Sequence, residues 1–190
     1  MSDRRKFLQN SVLASAALWM GGLPGCSTPA RERVSPSSRP LNILFLGGTG
    51  FIGPHHVRAA VARGHRVSVF NRGRSDADLP SGVEHLIGDR NNDLKSIQHR
   101  DWDAVVDLAT FGPGWVRSLG EALKGRIKHY TLISTISVYG IPAPDNVRED
   151  GPVLAYEAEQ DPYSITAPGK HYGALKALCE AEAQRQFPGK

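Results

Sequence analysis

Leu41-Asn42-Ile43-Leu44-Phe45-Leu46-Gly47-Gly48-Thr49-Gly50-Phe51-Ile52-Gly53 is the stretch from which the rest of the chain is read. Its first half is an almost unbroken apolar run, the pattern of a strand buried on both faces of a parallel sheet. Its second half spaces glycines as G-x-x-G-x-x-G. It passes into Val57-Arg58-Ala59-Ala60-Val61-Ala62-Arg63, whose apolar positions recur with a helical period. Gly64 follows as a helix stop, and His65-Arg66-Val67-Ser68-Val69-Phe70 reads as a second strand. Strand, turn, helix and strand within about thirty residues make a βαβ unit. In that setting the glycine spacing is a variant of the dinucleotide fingerprint, because backbone N–H groups at a helix start favour a pyrophosphate. A side chain at Gly47 or Gly50 is expected to obstruct the turn or the approach of the ligand. One at Gly53 is expected to hinder packing of helix on strand.

The end of the second strand bears on the choice of nicotinamide cofactor. A carboxylate there would hydrogen-bond the free ribose 2′-hydroxyl of NAD, whereas arginine accommodates the 2′-phosphate of NADP. The chain reads Asn71-Arg72-Gly73-Arg74, with no carboxylate before Asp76, so NADP is expected in preference to NAD. The alternation continues with a third strand over 83–87, ending in Gly88-Asp89-Arg90 with Asp89 placed to reach the adenine edge. A fourth strand is expected over 102–108, a helix over 115–123 and a fifth strand over 129–134. This order predicts an α/β fold, a Rossmann-like doubly wound parallel sheet of about five strands, with the ligand outside the carboxyl ends of the strands.

Two later segments carry chemistry. The fifth strand runs into Ser134-Thr135-Ile136-Ser137-Val138-Tyr139-Gly140, and a helix beginning near His171 contains Tyr172-Gly173-Ala174-Leu175-Lys176. Positions four apart share a helix face, which puts Tyr172 and Lys176 side by side. An ammonium beside a phenol favours the ionised form, so the pair can act as acid or base at a carbonyl or carbinol oxygen while a strand-end hydroxyl holds that oxygen. The chain supplies its own controls: Tyr139, Tyr156 and Tyr163 have Ala143, Gln160 and Ala167 at the corresponding position.

Through these residues the sequence resembles the extended short-chain dehydrogenase/reductases, and within them the NAD(P)-dependent epimerase/dehydratase group, over about 41–190. The resemblance implies an oxidoreductase or epimerase/dehydratase acting on a small-molecule alcohol or carbonyl, sugar-like in class. It implies Tyr172 as catalytic acid/base, Lys176 as its electrostatic partner and ribose ligand, and Thr135 as the catalytic hydroxyl, with Ser134 and Ser137 as substitutes. The cofactor contacts it implies are Gly47, Gly50, Phe51, Ile52, Gly53, Asn71, Arg72, Arg74, Asp89, Leu108, Ala109 and Lys176. Asp107 stands where the family more commonly has histidine. Family members continue beyond the Y-x-x-x-K helix with a sixth strand and a substrate domain. The chain stops at Lys190, so a missing substrate half is expected. The alternative is a non-catalytic NAD(P)-binding protein or an inactive remnant.

Composition narrows the remaining classes. With 190 residues, 40% apolar and 22% charged, the chain has room for one cored domain. Two cysteines, Cys26 and Cys179, cannot build a disulfide framework or a four-thiolate zinc site, and no metal site is expected. The formal charge is +4, but residues 1–40 hold six bases against two acids, which leaves 41–190 neutral and without the basic footprint of a nucleic-acid binder. The basic excess sits in a leader. Arg4-Arg5 before Phe7-Leu8, then a short apolar run over 11–23, resembles a twin-arginine export signal read by the export machinery; an ordinary secretory signal is the alternative. Residues 1–26 are expected to be the signal and 27–40 a Ser/Pro/Arg-rich flexible linker. The domain would occupy 41–190, exported to the periplasm with its dinucleotide already tightly held. Leu23-Pro24-Gly25-Cys26 resembles a lipobox. Either Cys26 is lipidated and meets the membrane, or it stays in the discarded leader. A five-stranded sheet also leaves an open edge for a partner, a second copy of the chain among them.

Overall fold

Five strands form one sheet: β1 (Asn42–Leu46), β2 (Arg66–Asn71), β3 (Glu84–Ile87), β4 (Trp102–Asp107) and β5 (Ile127–Leu132). Their order is β3-β2-β1-β4-β5 and each neighbouring pair is parallel. The structure, a computed structural model, describes residues 35–190 apart from Asp76 and Pro168. The 1–26 leader with Cys26, and the linker up to residue 34, lie outside the described residues.

Alternation along β1 explains the layering. Leu44 and Leu46 join Val105, Val116, Leu119, Leu123 and Phe187 in one buried cluster, while Ile43 and Phe45 join Val57, Ala60, Val67 and Val69 in another. A strand whose successive side chains enter two cores must be apolar at almost every position, as this one is. Fully burying each such Leu, Val or Phe contributes about 1.5–3 kcal/mol, offset by chain entropy. The second cluster is covered by α1 (Gly53–Ala62). The first contains residues of α2 (Lys95–Gln98), α3 (Pro113–Ala122) and α4 (Tyr172–Gln186).

Helix α1 starts at Gly53, four residues ahead of its apolar period, with proline in its first turn, where a missing N–H costs nothing. It ends at Gly64, whose φ of +83° is the left-handed conformation that a helix stop uses. Two single turns of 3-10 helix, Ile136–Tyr139 and Pro162–Ser164, interrupt the long connection from β5 to α4. Because all five strands run the same way, the segments that follow β1, β4 and β5 emerge at one edge of the sheet. Adjacent β1 and β4 are where the strand order reverses, and such a reversal opens a crevice.

Candidate active site

The bend after β1 is built by its glycines in three different ways. Gly47 has φ +84°, and a Cβ there would lie 2.5 Å from the Ala109 Cβ on the loop after β4. A Cβ on Gly53 would run into the carbonyl of Gly48. The obstruction foreseen at Gly53 is therefore with the turn itself and not with a strand, because the turn folds back over the helix start. A Cβ on Gly50 would meet only the Gly47 carbonyl oxygen, at 3.7 Å, so that face is open. The Gly50 and Gly53 amides donate within the turn, to the carbonyls of Gly47 (3.2 Å) and Gly50 (3.0 Å). Among the described residues the amides of Phe51 and Ile52 have no protein acceptor, which suits an anion at the helix start. The Phe51 side chain itself is 97% exposed, and Ile52 caps the helix without a side-chain bond.

A cleft of about 470 Å³ opens beside this bend, lined by Gly47, Gly50, Asn71, Arg72, Arg74, Asp89 and Ala109 among others. Seven of the residues expected at the cofactor thus share one cavity. Asn71 accepts the Gly73 amide at 2.7 Å, shaping the loop that presents Arg72 and Arg74, both exposed. Asp89 is partly engaged, since its Oδ1 accepts the Asn91 amide (2.9 Å) and side chain (2.8 Å). Leu108 does not line this cleft; its side chain packs against the core cluster under α1, and its amide donates to the Leu46 carbonyl. Arg90, Asn91, Phe111, Trp115, Thr166 and Ala167 also line the cavity, and sequence reasoning had assigned none of them. Arg90 carried a signal in its position directly after Gly88-Asp89. Thr166 and Ala167 carried none, because only folding of the 150–171 connection brings them there.

The strand-end hydroxyls and the Tyr172 helix meet directly. A Cβ on Gly173 would run into the Ser137 carbonyl oxygen, so the glycine after Tyr172 lets α4 begin against the Ile136–Tyr139 turn. Thr135 caps that turn, accepting the Ser137 amide at 3.2 Å and donating to the Ser137 hydroxyl at 3.1 Å. Ser134 donates instead to Glu180. The Tyr172 side chain is half-buried, and its hydroxyl makes no hydrogen bond among the described residues. Lys176 is only 2% exposed, and its ammonium donates to the carbonyls of Ile133 (2.7 Å) and Thr110 (3.2 Å). Burial lowers the Lys176 pKa, opposed by Cys179, Asp107 and Glu180. The same burial pushes the Cys179 thiol up to about 12, so this cysteine is a core residue and not a nucleophile.

These contacts make a continuous path along the carboxyl edge of the sheet, from Gly47 to Ala109, on to Thr110, and through Lys176 to Ile133 beside Thr135. The glycine bend and the tyrosine helix therefore meet along one edge of the sheet. The residues suit a dinucleotide: glycine where a ligand must approach, free amides at the helix start and arginines in the cleft wall. The Lys176 ammonium does not line the cleft and lies buried behind it on the Thr110 and Ile133 carbonyls.

A parallel sheet of this order, with a glycine-built bend at its switch point, defines the doubly wound dinucleotide-binding class of α/β proteins. Within that class the chain belongs to the NAD dependent epimerase/dehydratase family, whose profile matches residues 43–186. It is 34% identical over 122 residues to the chloroplast stem-loop binding protein of 41 kDa b of Arabidopsis thaliana, covering 56% of this chain and 32% of that one. It is 26% identical over 125 residues to a bifunctional UDP-glucose 4-epimerase and UDP-xylose 4-epimerase of Pisum sativum, covering 56% and 34%. Among solved structures, the NAD-dependent NDP-hexosamine 5,6-dehydratase TunA of tunicamycin biosynthesis superposes with a TM-score of 0.60 at 24% identity, over 79% of this chain and 51% of TunA. At that identity the likeness is one of fold. The chain spans about a third of the length of these curated relatives.

Proposed function

We propose that the chain binds a nicotinamide dinucleotide across the Gly47–Gly53 bend and acts as an oxidoreductase or epimerase/dehydratase on an alcohol or carbonyl carbon of a sugar-like substrate. The observation that carries this reading is the path linking the bend, through Ala109 and Thr110, to the Lys176 ammonium. When bound, the nicotinamide supplies hydride chemistry. The protein supplies the rest. Tyr172 holds or moves the proton on the substrate oxygen, helped by the fixed charge of Lys176, and the Thr135 hydroxyl orients that oxygen. Arg72 and Arg74 favour the 2′-phosphate of NADP over the hydroxyl of NAD. Arg4 and Arg5 direct the folded, loaded protein to the periplasm, so changing both to lysine is expected to retain it in the cytoplasm.

Titration with NADP⁺ and NAD⁺ followed by a turnover assay on nucleotide sugars tests this. Tyr172→Phe is expected to keep the dinucleotide affinity and lose turnover. Binding without turnover in the unaltered chain would make it a non-catalytic binding protein, and no binding would end the reading. The name of the Arabidopsis relative supports a second reading, in which the chain binds nucleic-acid stem-loops. The neutral balance of 41–190 weighs against it. A salt-sensitive gel shift with a stem-loop RNA, unaffected by NADP⁺, is the result that would favour it.

A further inference from the structure

Between the cofactor cleft and Lys176 lies a buried ion pair that neither the glycine bend nor Tyr172 requires. Asp107 is fully buried and Arg90 is 9% exposed, with Nη1 of Arg90 2.5 Å from Oδ1 of Asp107. The carboxylate also accepts from Thr110 Oγ1 (2.6 Å), the Tyr130 hydroxyl (2.9 Å) and the Ala109 amide (3.3 Å). Arg90 further donates to Thr110 Oγ1 (2.6 Å) and to the Trp115 carbonyl (3.3 Å). A pair so far from water adds little net stability over apolar residues of equal volume, because desolvation offsets the attraction. Geometry is what it fixes. Each donor to Asp107 belongs to a segment that either lines the cleft or holds the lysine. Arg90 and Ala109 line the cleft, the Thr110 carbonyl accepts from Lys176, and Tyr130 lies on β5, whose continuation at Ile133 gives the second carbonyl.

We propose that Asp107 and Arg90 are a positioning pair that locks residues 109–110 between the dinucleotide cleft and the Lys176 ammonium, so that affinity for the cofactor and placement of the lysine depend on one carboxylate. The proposal rests on the reading of the cleft as a dinucleotide site. Around Lys176 the charged and titratable groups are Asp107 and Arg90 from the strand ends and Cys179 and Glu180 from its own helix. Arg90 opposes ionisation of the lysine and Asp107 supports it, so the pair bears on its charge as well as its position.

The test uses the full 190-residue chain and its Asp107→Asn, Arg90→Met, doubly substituted and Thr110→Val variants. Binding of NADP⁺ and NAD⁺ is followed by tryptophan fluorescence, since Trp115 lines the cleft. The ε-carbon NMR resonance of Lys176, assigned by its loss in Lys176→Met, is followed against pH without ligand. Each single charge variant is expected to weaken binding roughly tenfold, and the double variant no further, because both remove one device. The Lys176 midpoint is expected to fall in Asp107→Asn, which removes an anion, and to rise in Arg90→Met, which removes a cation. Thr110→Val keeps the ion pair and is expected to show a smaller loss of affinity. It decides the matter if the charge variants do not fold, since unchanged affinity there overturns the proposal. Additive losses in the double variant, or an unmoved Lys176 midpoint, also overturn it while leaving the dinucleotide reading intact. An unaltered chain that binds neither dinucleotide overturns both.

Discussion

At Gly47 a positive φ and the nearby Ala109 Cβ both exclude a side chain, at Gly53 the Gly48 carbonyl does, and at Gly50 nothing among the described residues does. The three glycines of one motif therefore answer to different forces: backbone conformation, turn closure and ligand approach. Alanine separates them. Gly47→Ala is expected to cost about 1–3 kcal/mol of stability, from a left-handed backbone forced on a residue with a Cβ and from crowding against Ala109. Gly53→Ala is expected to cost at least about as much through overpacking against a backbone that cannot yield. Gly50→Ala is expected to stay within about 0.5 kcal/mol of the unaltered chain, yet to bind dinucleotide far more weakly, because its methyl group would occupy the face left to the ligand. Urea unfolding and cofactor titration on the same three variants check this. Equal loss of stability at all three positions would make the motif a purely structural turn.

At the level of elements, what could be read from the sequence was what local pattern carries. The strands β1, β2 and β4 betray themselves because residues such as Leu44 and Phe45 must both be apolar to enter opposite cores. The edge strand β5, expected over 129–134, lies instead at Ile127–Leu132, because Lys128 and His129 are exposed and only Ile127 and Tyr130 are buried. Helix α2 is four residues long, less than any period can announce, and α1 begins at Gly53 where glycine and proline have no apolar face to signal it. The spacing of Tyr172 and Lys176 gave their common face, but not that the ammonium would be taken by carbonyls 66 and 43 positions away. The same holds for the connection carrying Tyr163. Gly112 and Gly114, at the start of α3, leave room for the carbonyls of Ile165 and Tyr163. Arg117 lies over the Tyr163 ring at 3.6 Å, and the tyrosine hydroxyl donates to buried Glu182 (2.8 Å), which also holds Arg185 and Gln186. This clasp fastens the segment whose Thr166 and Ala167 reach the cleft. Glu182→Gln is expected to cost about 1–3 kcal/mol and to speed hydrogen exchange at amides 163–167, with weaker dinucleotide binding and α4 still formed. Unchanged exchange there would show that the two glycine contacts alone hold the segment.

Among the described residues buried charge gathers at two places, the carboxyl edge of the sheet and the α3–α4 clasp, and acid is what exposes that arrangement. Burial opposes ionisation of Asp107, but the charge of Arg90 and hydrogen bonds from Arg90, Thr110 and Tyr130 outweigh it and hold the carboxyl below its ordinary value. Burial likewise opposes ionisation of Glu182, and hydrogen bonds from Gln186, Tyr163 and Arg185 outweigh it. A carboxylate whose pKa is lower folded than unfolded binds more protons when the chain unfolds. Its stabilisation is complete above the unfolded value, about 4, and disappears as pH falls through the folded one. Stability should therefore be nearly level from about pH 5 to 7 and decline steeply below about pH 4. Asp107→Asn should act on both parts of that curve. It leaves Arg90 buried without its counter-charge, which is expected to lower the plateau by about 3–5 kcal/mol. It also removes one of the groups whose protonation drives the decline, so the acid limb becomes shallower even as the plateau drops. Urea unfolding of both proteins at a series of pH values between 3 and 7 measures the two effects separately. Acid limbs of equal steepness would mean that the Asp107 carboxyl is not held below its ordinary value in the folded protein, and the ion pair at the centre of this edge would have to be abandoned.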